Sequence, residues 1–196
     1  MKRIVLASGN PGKLREFQQL LSNTDYEIIP QSKLDIPDAD EIGLSFVENS
    51  ILKARHASKL SGLPAIADDS GLEVDALNGQ PGIYSARFAG TPSNDDNNNK
   101  KLLQELGDIS AQQRSARFQC LLTLLRHEKD PVPLIFQGTW EGRILFEPSG
   151  ENGFGYDPLF FVPEQNCSSA QLSAQVKNAI SHRGKAMAKL LRHLVK

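Results

Sequence analysis

Ala65-Ile-Ala-Asp-Asp-Ser-Gly-Leu-Glu-Val-Asp-Ala-Leu-Asn-Gly79 starts as an apolar strand behind Pro64 and meets two adjacent carboxylates, Asp68 and Asp69. Ser70-Gly71 is expected to break the strand. Leu72, Val74 and Ala76 then resume an alternating pattern that stops at Asn78-Gly79, a hairpin-type turn pair. Successive strand side chains face opposite ways, so Asp68 and Asp69 are not expected to enter the core together. A carboxylate at a strand end beside a glycine can hold a divalent cation or take a proton from water. Asp, Ser and Gly are also common turn residues, and a plain turn accounts for the same stretch.

Upstream, Ile4-Val-Leu-Ala7 is a short strand of buried type. It runs into Ser8-Gly9-Asn10-Pro11-Gly12-Lys13, after which Leu14, Phe17, Leu20 and Leu21 mark one apolar face of a helix. Asn10 fits the N-cap and Pro11 the first helical position. A strand entering a Gly-containing loop at a helix start is an anion site, because free amides and the helix dipole act in the same sense. Lys13 adds a full charge. The loop is not a Walker A sequence: two residues separate Gly9 from Gly12, and Leu14 stands where Ser or Thr should follow the lysine. A simple helix cap explains the same residues.

Glu27 to Pro30 reads as a second strand, followed by the acidic loop Asp35-Ile-Pro-Asp-Ala-Asp-Glu41. Ser45-Phe-Val-Glu48 has the capping-box form and opens a helix to about Lys59. Val47, Ile51, Ala54 and Ser58 are expected to face the core, with Asn49, Lys53 and His56 on a different stripe.

Downstream, Pro92 to Asn99 is a surface loop or helix entry, and Lys100 to Leu106 a short helix ending near Gly107. Three β-rich runs follow, Ala116 to Leu125, Leu134 to Trp140 and Arg143 to Glu147, with Glu141-Gly142 as the turn between the last two. Asn152-Gly-Phe-Gly-Tyr-Asp-Pro158 is a Gly-aromatic loop whose glycines permit close backbone approach. Phe154 there can stack on a flat ring or, with Tyr156, plug the core. A closing helix from about Ile180 to Leu194 buries Met187, Leu190, Leu191 and Leu194. Its first turn carries His182 and Arg183, cations placed against the helix dipole, and this points to a function for the pair.

The chain has 196 residues, enough for one domain with a sizeable core. Its net charge of −1 gives no bulk attraction to nucleic acid or an acidic membrane, so an anionic substrate must be held by local cations. No apolar stretch is long enough for a signal or membrane span, and Cys120 and Cys167 suit reduced thiols. The cytoplasm is the expected location. Helices between early strands, then an antiparallel-looking β section, indicate an α/β protein with a mixed sheet and no internal repeat or linker.

The ordered set Ser8-Gly-Asn-Pro-Gly-Lys13, Phe46-Val-Glu-Asn-Ser-Ile-Leu-Lys53-Ala, Ala67-Asp-Asp-Ser-Gly-Leu72, Pro81-Gly-Ile-Tyr-Ser-Ala-Arg87, Gly153-Phe-Gly-Tyr-Asp-Pro158 and Ile180-Ser-His-Arg183 closely resembles the Ham1/RdgB family of inosine/xanthosine triphosphate pyrophosphatases. The resemblance runs from the first strand to the last helix. It implies an elongated ITPase-like α/β fold, a mixed twisted sheet flanked by helices, formed by residues 1–196 as one domain of two lobes with a central cleft. It further implies a homodimer, Mg²⁺ dependence, and cleavage of non-standard purine triphosphates (ITP, dITP, XTP) to monophosphate and pyrophosphate. Ser8 stands where many members have Thr, which keeps the hydroxyl.

Carried onto this sequence, the resemblance makes Asp69 the catalytic residue and, with Glu41, a metal ligand; Glu41 aligns best among the acidic residues 38–41. Ser8, Gly9, Asn10, Pro11, Gly12, Lys13 and Lys53 meet the triphosphate. Ser70, Phe154, Gly155, Tyr156, Asp157, Lys177, His182 and Arg183 form the base and sugar end. A substrate of about four negative charges explains lysines and a metal in a protein of almost no net charge. A nucleotide sensor without hydrolysis would use the same loops but has less use for Asp68-Asp69. A P-loop NTPase lacks its loop here, and a structural interaction protein leaves Gly-Phe-Gly-Tyr-Asp and Ser-His-Arg unexplained.

Overall fold

In the computed structural model, residues 1–22 and 24–195 are described, with the side chain of Leu20 outside the described residues. The strands are β1 (Lys2–Ala7), β2 (Tyr26–Pro30), β3 (Ala65–Val74), β4 (Ser115–Leu125), β5 (Leu134–Ile144), β6 (Phe160–Val162) and β7 (Cys167–Ser168). They form one seven-stranded sheet in the order β2-β1-β3-β4-β5-β6-β7. The sheet is mixed: β1 pairs in parallel with β2 and β3, whereas β5–β6 and β6–β7 are antiparallel. The helices are α1 (Pro11–Leu21), α2 (Phe46–Ser61), α3 (Asp95–Leu106), α4 (Ala174–Ile180) and α5 (His182–Leu194). Two compact units share the chain: Met1–Asp69, Cys120–Gly138 and Lys185–Lys196 in the first, Ser70–Gln119 and Thr139–Gly184 in the second.

In the first unit the sheet is buried on both faces. Ile4, Leu6 and Ile66 pack with Phe17 and Leu21 of α1 and with Ala186, Met187 and Leu190 of α5. Their strand neighbours Val5, Ala7, Ala65 and Ala67 pack with Ala54 and Ala57 of α2. Small side chains on both partners let α2 lie close to the strands. Strands covered on both faces carry continuous apolar runs, which is why Ile4 to Ala7 shows no alternation. Ser50 Oγ donates to Thr123 Oγ1 at 2.7 Å, a buried polar link between α2 and β4.

The second unit has one apolar layer, in which Leu72, Val74, Leu102, Leu106, Phe118, Trp140 and Phe160 meet. The Phe118 and Phe160 rings lie 4.6 Å apart and those of Trp140 and Phe160 5.1 Å apart, within the range of favourable aromatic pairs. Arg117, Gln119, Thr139 and Glu141 alternate with these residues and form polar pairs with one another and with Glu73 and Asp75.

Several expected boundaries change. β3 continues through Ser70-Gly71 to Val74, and Ala76 belongs to a 3-10 turn over Asp75–Leu77 rather than to a strand. The Asn78-Gly79 turn is present, both residues having left-handed backbones. β5 runs straight through Glu141-Gly142: a Cβ on Gly142 would strike the Phe160 ring and the Phe161 carbonyl, so this glycine admits β6 and is no turn. On α2 the buried positions are Phe46, Asn49, Ser50, Ala54, Ala57 and Ser58, with Val47 and Ile51 half-buried. Asn49 is inside because its Oδ1 accepts the Gly43 N–H at 2.8 Å. The closing segment is two helices, broken at the extended Ser181; Met187 and Leu190 are buried, Leu191 and Leu194 half-buried.

Candidate active site

At the end of β1, Asn10 caps α1 as the sequence requires: its Oδ1 accepts the Gly12 and Lys13 N–H groups at 2.8 and 3.1 Å, with Pro11 at the first helical position. Ser8 Oγ accepts the Asn10 N–H at 3.2 Å. Gly9, Asn10 and Pro11 are exposed. A Cβ on Gly9 would stand 3.6 Å from Asp38 Oδ1, and Asp38 is held by Gln31 Nε2.

Asp68 and Asp69 are both buried, 1% and 7% exposed, against the expectation that one would be excluded. They do face opposite ways. Asp68 lies on the α1 side, ion-paired with Lys13 and accepting from Cys120 Sγ at 3.4 Å. Asp69 lies on the α2 side, where Lys53 Nζ donates to its Oδ1 at 2.6 Å. Alternation holds, but helices cover both faces at this point, so both carboxylates enter protein interior. Each then needs a cation, because a buried unpaired charge is strongly disfavoured.

Lys53 Nζ also donates to Glu41 Oε1 at 3.0 Å. Two carboxylates thus converge on one ammonium, and Glu41 is the member of the acidic loop that joins Asp69; Asp38 goes instead toward Gly9. Burial pushes the Asp69 carboxyl up, and the Lys53 charge offsets this only in part. Burial pulls Lys53 down, but Asp69 and then Glu41 outweigh it, and its ammonium is held above the usual lysine range. The capping box is present in modified form. Ser45 Oγ accepts the Glu48 N–H, while Glu48 Oε2 takes the Leu44 N–H one residue before the cap. Glu48 is therefore a capping residue.

In the second unit the Gly-aromatic loop is built around Asp157, 2% exposed. Its Oδ2 accepts the Phe154 N–H at 2.9 Å and an ion pair from Lys177, and its Oδ1 accepts Ser169 Oγ at 2.8 Å. Gly153 has a left-handed backbone, and a Cβ there would strike the Asp157 carboxylate, so only glycine serves. Tyr156 is a buried plug whose hydroxyl donates to Ser85 O at 2.8 Å. Phe154 is 40% exposed, with Lys177 Nζ 5.0 Å and Arg183 Cζ 5.9 Å from its ring centre. His182 and Arg183 are buried, and the His182 ring stacks on Phe118 at 4.8 Å. Ser70 is half-buried in β3.

The fold thus assembles Lys53 with Glu41 and Asp69, Lys13 with Asp68, and Phe154 with Asp157, Lys177 and Arg183. Sequence reading does not identify the Asp68–Lys13 pair, nor the contacts of α3 with Gly155, whose N–H is accepted by Asp95 Oδ2 and whose carbonyl accepts from Asn99 Nδ2. The i, i+4 spacing of Asp95 and Asn99 behind Asn94, which caps α3 by accepting the Asn97 N–H, is the available signal.

The Glu41–Asp69 pair suits a hard divalent cation. Mg²⁺ is commonly held by one or two carboxylates plus substrate phosphates and water, and this pair already converges on a positive charge. Among the described residues, no three His, Cys, Asp or Glu side chains form a closed cage. No described helix is long and apolar enough to cross a membrane.

The sequence profile of the Ham1 family matches residues 4–193. A Vibrio cholerae protein named dITP/XTP pyrophosphatase is 56% identical over 192 residues, covering 98% of this chain and 96% of its own. The solved structure of a HAM1 protein from Coxiella burnetii matches with a TM-score of 0.95 at 50% identity, covering 100% of this chain and 99% of that one. A nucleoside-triphosphatase (dITP/XTP pyrophosphatase) from Mycobacterium abscessus matches with a TM-score of 0.78 at 40% identity, over 96% and 98% of the two chains.

Proposed function

The chain belongs to the Ham1 family, and from that premise and the paired carboxylates we infer that it is a nucleoside-triphosphate pyrophosphatase. It hydrolyses non-canonical purine nucleoside triphosphates (ITP, dITP, XTP) to the monophosphate and pyrophosphate. The observation that carries the chemistry is the convergence of Asp69 and Glu41 on the Lys53 ammonium.

In this reading Glu41 and Asp69 hold Mg²⁺, which supplies charge neutralisation along the phosphates. Asp69, its basicity raised by burial, orients the water that attacks the α-phosphorus and takes up its proton. Lys53 and Lys13 turn their ammonium groups to the pyrophosphate leaving group, so no protein nucleophile is needed. The Ser8–Lys13 loop positions the phosphates at the start of α1. Ser70, the residue after Asp69, is assigned to the base and sugar end, as the family resemblance implies.

Phe154 offers the stacking face for the purine, on a loop held by Gly155, Tyr156, Asp157 and Lys177. Arg183, carried by the turn that His182 anchors in the aromatic core, donates to the 6-keto oxygen. Adenine presents an amino group at that position, which cannot accept from the arginine, a basis for rejection. Homodimerisation and cytoplasmic residence, implied by the family resemblance, complete the proposal.

The test is incubation with ITP, dITP, XTP, ATP and GTP, with and without Mg²⁺, and chromatographic identification of products. Monophosphate and pyrophosphate from the keto purines are expected. Nucleoside diphosphate and orthophosphate would place the cleavage at the wrong bond, and intact nucleotide would make the protein a binder.

A further inference from the structure

Phe154 stands on an unusually well-held backbone. The peptide before its Cα is fixed by Asp157, which accepts the Phe154 N–H at 2.9 Å. The peptide after it is fixed by Asp95 of α3, whose Oδ2 accepts the Gly155 N–H at 2.7 Å. One helical turn along, Asn99 Nδ2 donates to the Gly155 carbonyl at 2.9 Å. The Asp95–Asn99 spacing of i, i+4 puts both groups on one face of α3, so they grip Gly155 by its two backbone groups. Gly155 itself has a left-handed backbone, φ 61°, which that grip maintains.

Asn99 is buried, yet its Oδ1 has no hydrogen-bond partner among the described residues. The amide orientation is dictated by the Gly155 carbonyl, since the flipped amide would oppose two oxygens. A buried amide with one end unsatisfied is costly, so Asn99 stabilises the fold less than a well-packed apolar residue would. Its value lies in where it holds Gly155. A side chain in contact with substrate must have its backbone fixed by such outer contacts, because small misplacements are expensive in catalysis.

We propose that Asp95 and Asn99 are positioning residues for purine recognition, acting through the Gly153-Phe154-Gly155 backbone to hold the Phe154 ring against the base. The inference rests on Phe154 being the stacking face. The Asn-rich segment is thereby part of the purine-binding apparatus, although neither residue touches the substrate.

The experiment compares wild type, Asn99→Ala, Asp95→Ala, Asp95→Asn, Phe154→Ala and the double variant Asn99→Ala/Phe154→Ala. The readouts are KM and kcat with ITP, inhibition by inorganic tripolyphosphate, which has no base, and melting temperature. Asn99→Ala and Asp95→Ala are expected to raise the ITP KM about tenfold with tripolyphosphate inhibition within about twofold of wild type. Asp95→Asn should recover most of the KM, because its amide oxygen still accepts the Gly155 N–H. The double variant should be no worse than Phe154→Ala alone, since both changes remove one contact. Equal loss of tripolyphosphate and ITP binding, or multiplied penalties in the double variant, would overturn the proposal. Asp95 is exposed at the helix start, so Asp95→Ala decides the matter even if Asn99→Ala folds poorly. A wild-type KM in Phe154→Ala would instead overturn the stacking reading beneath it.

Discussion

Lys53 Nζ stands 2.6 Å from Asp69 Oδ1 and 3.0 Å from Glu41 Oε1, so one ammonium serves two carboxylates brought from a strand and a distant loop. The three side chains are 13%, 10% and 29% exposed, in the order Lys53, Asp69, Glu41, and water screens them poorly. The lysine holds together a pair of like charges that would otherwise repel. A divalent cation on the same oxygens would compete with it.

The first prediction follows from that competition. Lys53→Met should destabilise the metal-free protein by about 2–4 kcal/mol, near the cost of breaking a buried ion pair. Mg²⁺ should restore more stability to the variant than to wild type, because it replaces the missing positive charge. Thermal melts of both proteins with chelator and with Mg²⁺ provide the comparison. A deficit that Mg²⁺ leaves untouched would remove Glu41 and Asp69 as metal ligands.

The second prediction concerns base choice. Arg183→Ala should lower kcat/KM for ITP and XTP far more than for ATP, which lacks the 6-keto acceptor. Selectivity should shrink by about 1–3 kcal/mol, the cost of losing a partner for a buried polar group. Phe154→Ala should weaken all purines alike, because stacking does not read the 6-substituent. If Arg183→Ala reduces ITP and ATP by the same factor, Arg183 does not read the base.

The third prediction is a pH dependence of stability. Arg117 donates to both oxygens of Asp75, at 2.7 and 2.9 Å. Hydrogen bonds from Arg117, then from Ser115, hold the Asp75 carboxyl down at about 2. A carboxylate depressed on folding contributes stability above its unfolded range, near pH 4, and loses it as pH falls through the folded value. Asp75→Asn should thus cost about 0.2–1 kcal/mol at neutral pH, small because the pair is solvent-screened. Chemical denaturation of both proteins from pH 7 to pH 2 should show the gap closing below about pH 4. A gap that persists to pH 2 would mean that Asp75 acts by shape and not by charge.

Much of the site was legible in the sequence where the governing interactions are local. The Asn10 cap with Pro11 behind it, the Ser45–Glu48 start of α2 and the left-handed Asn78-Gly79 turn are settled by groups within about four residues of one another. The continuous apolar run of β1 marked a strand of buried type. The order of motifs from Ser8 to Arg183 carried the family, and with it the expected roles of Asp69, Glu41 and Lys53.

Tertiary structure decided what those local rules leave open. Ser70-Gly71 and Glu141-Gly142 look like turns, yet both stay within strands; at Gly142, the packing of Phe160 and Phe161 selects the extended chain. Asp68 and Asp69 are both interior because α1 and α5 cover one face of β3 while α2 covers the other. The Asn-rich run opens α3 because Asn98 finds backbone partners in Ala89 and Ala86, 9 and 12 residues upstream, and Asn99 one in Gly155, 56 residues on. Turn and cap hydrogen bonds form between sequence neighbours, so residue type alone specifies them. Burial and polar pairing depend on which surface arrives from elsewhere in the chain, and that is fixed only when the layers pack.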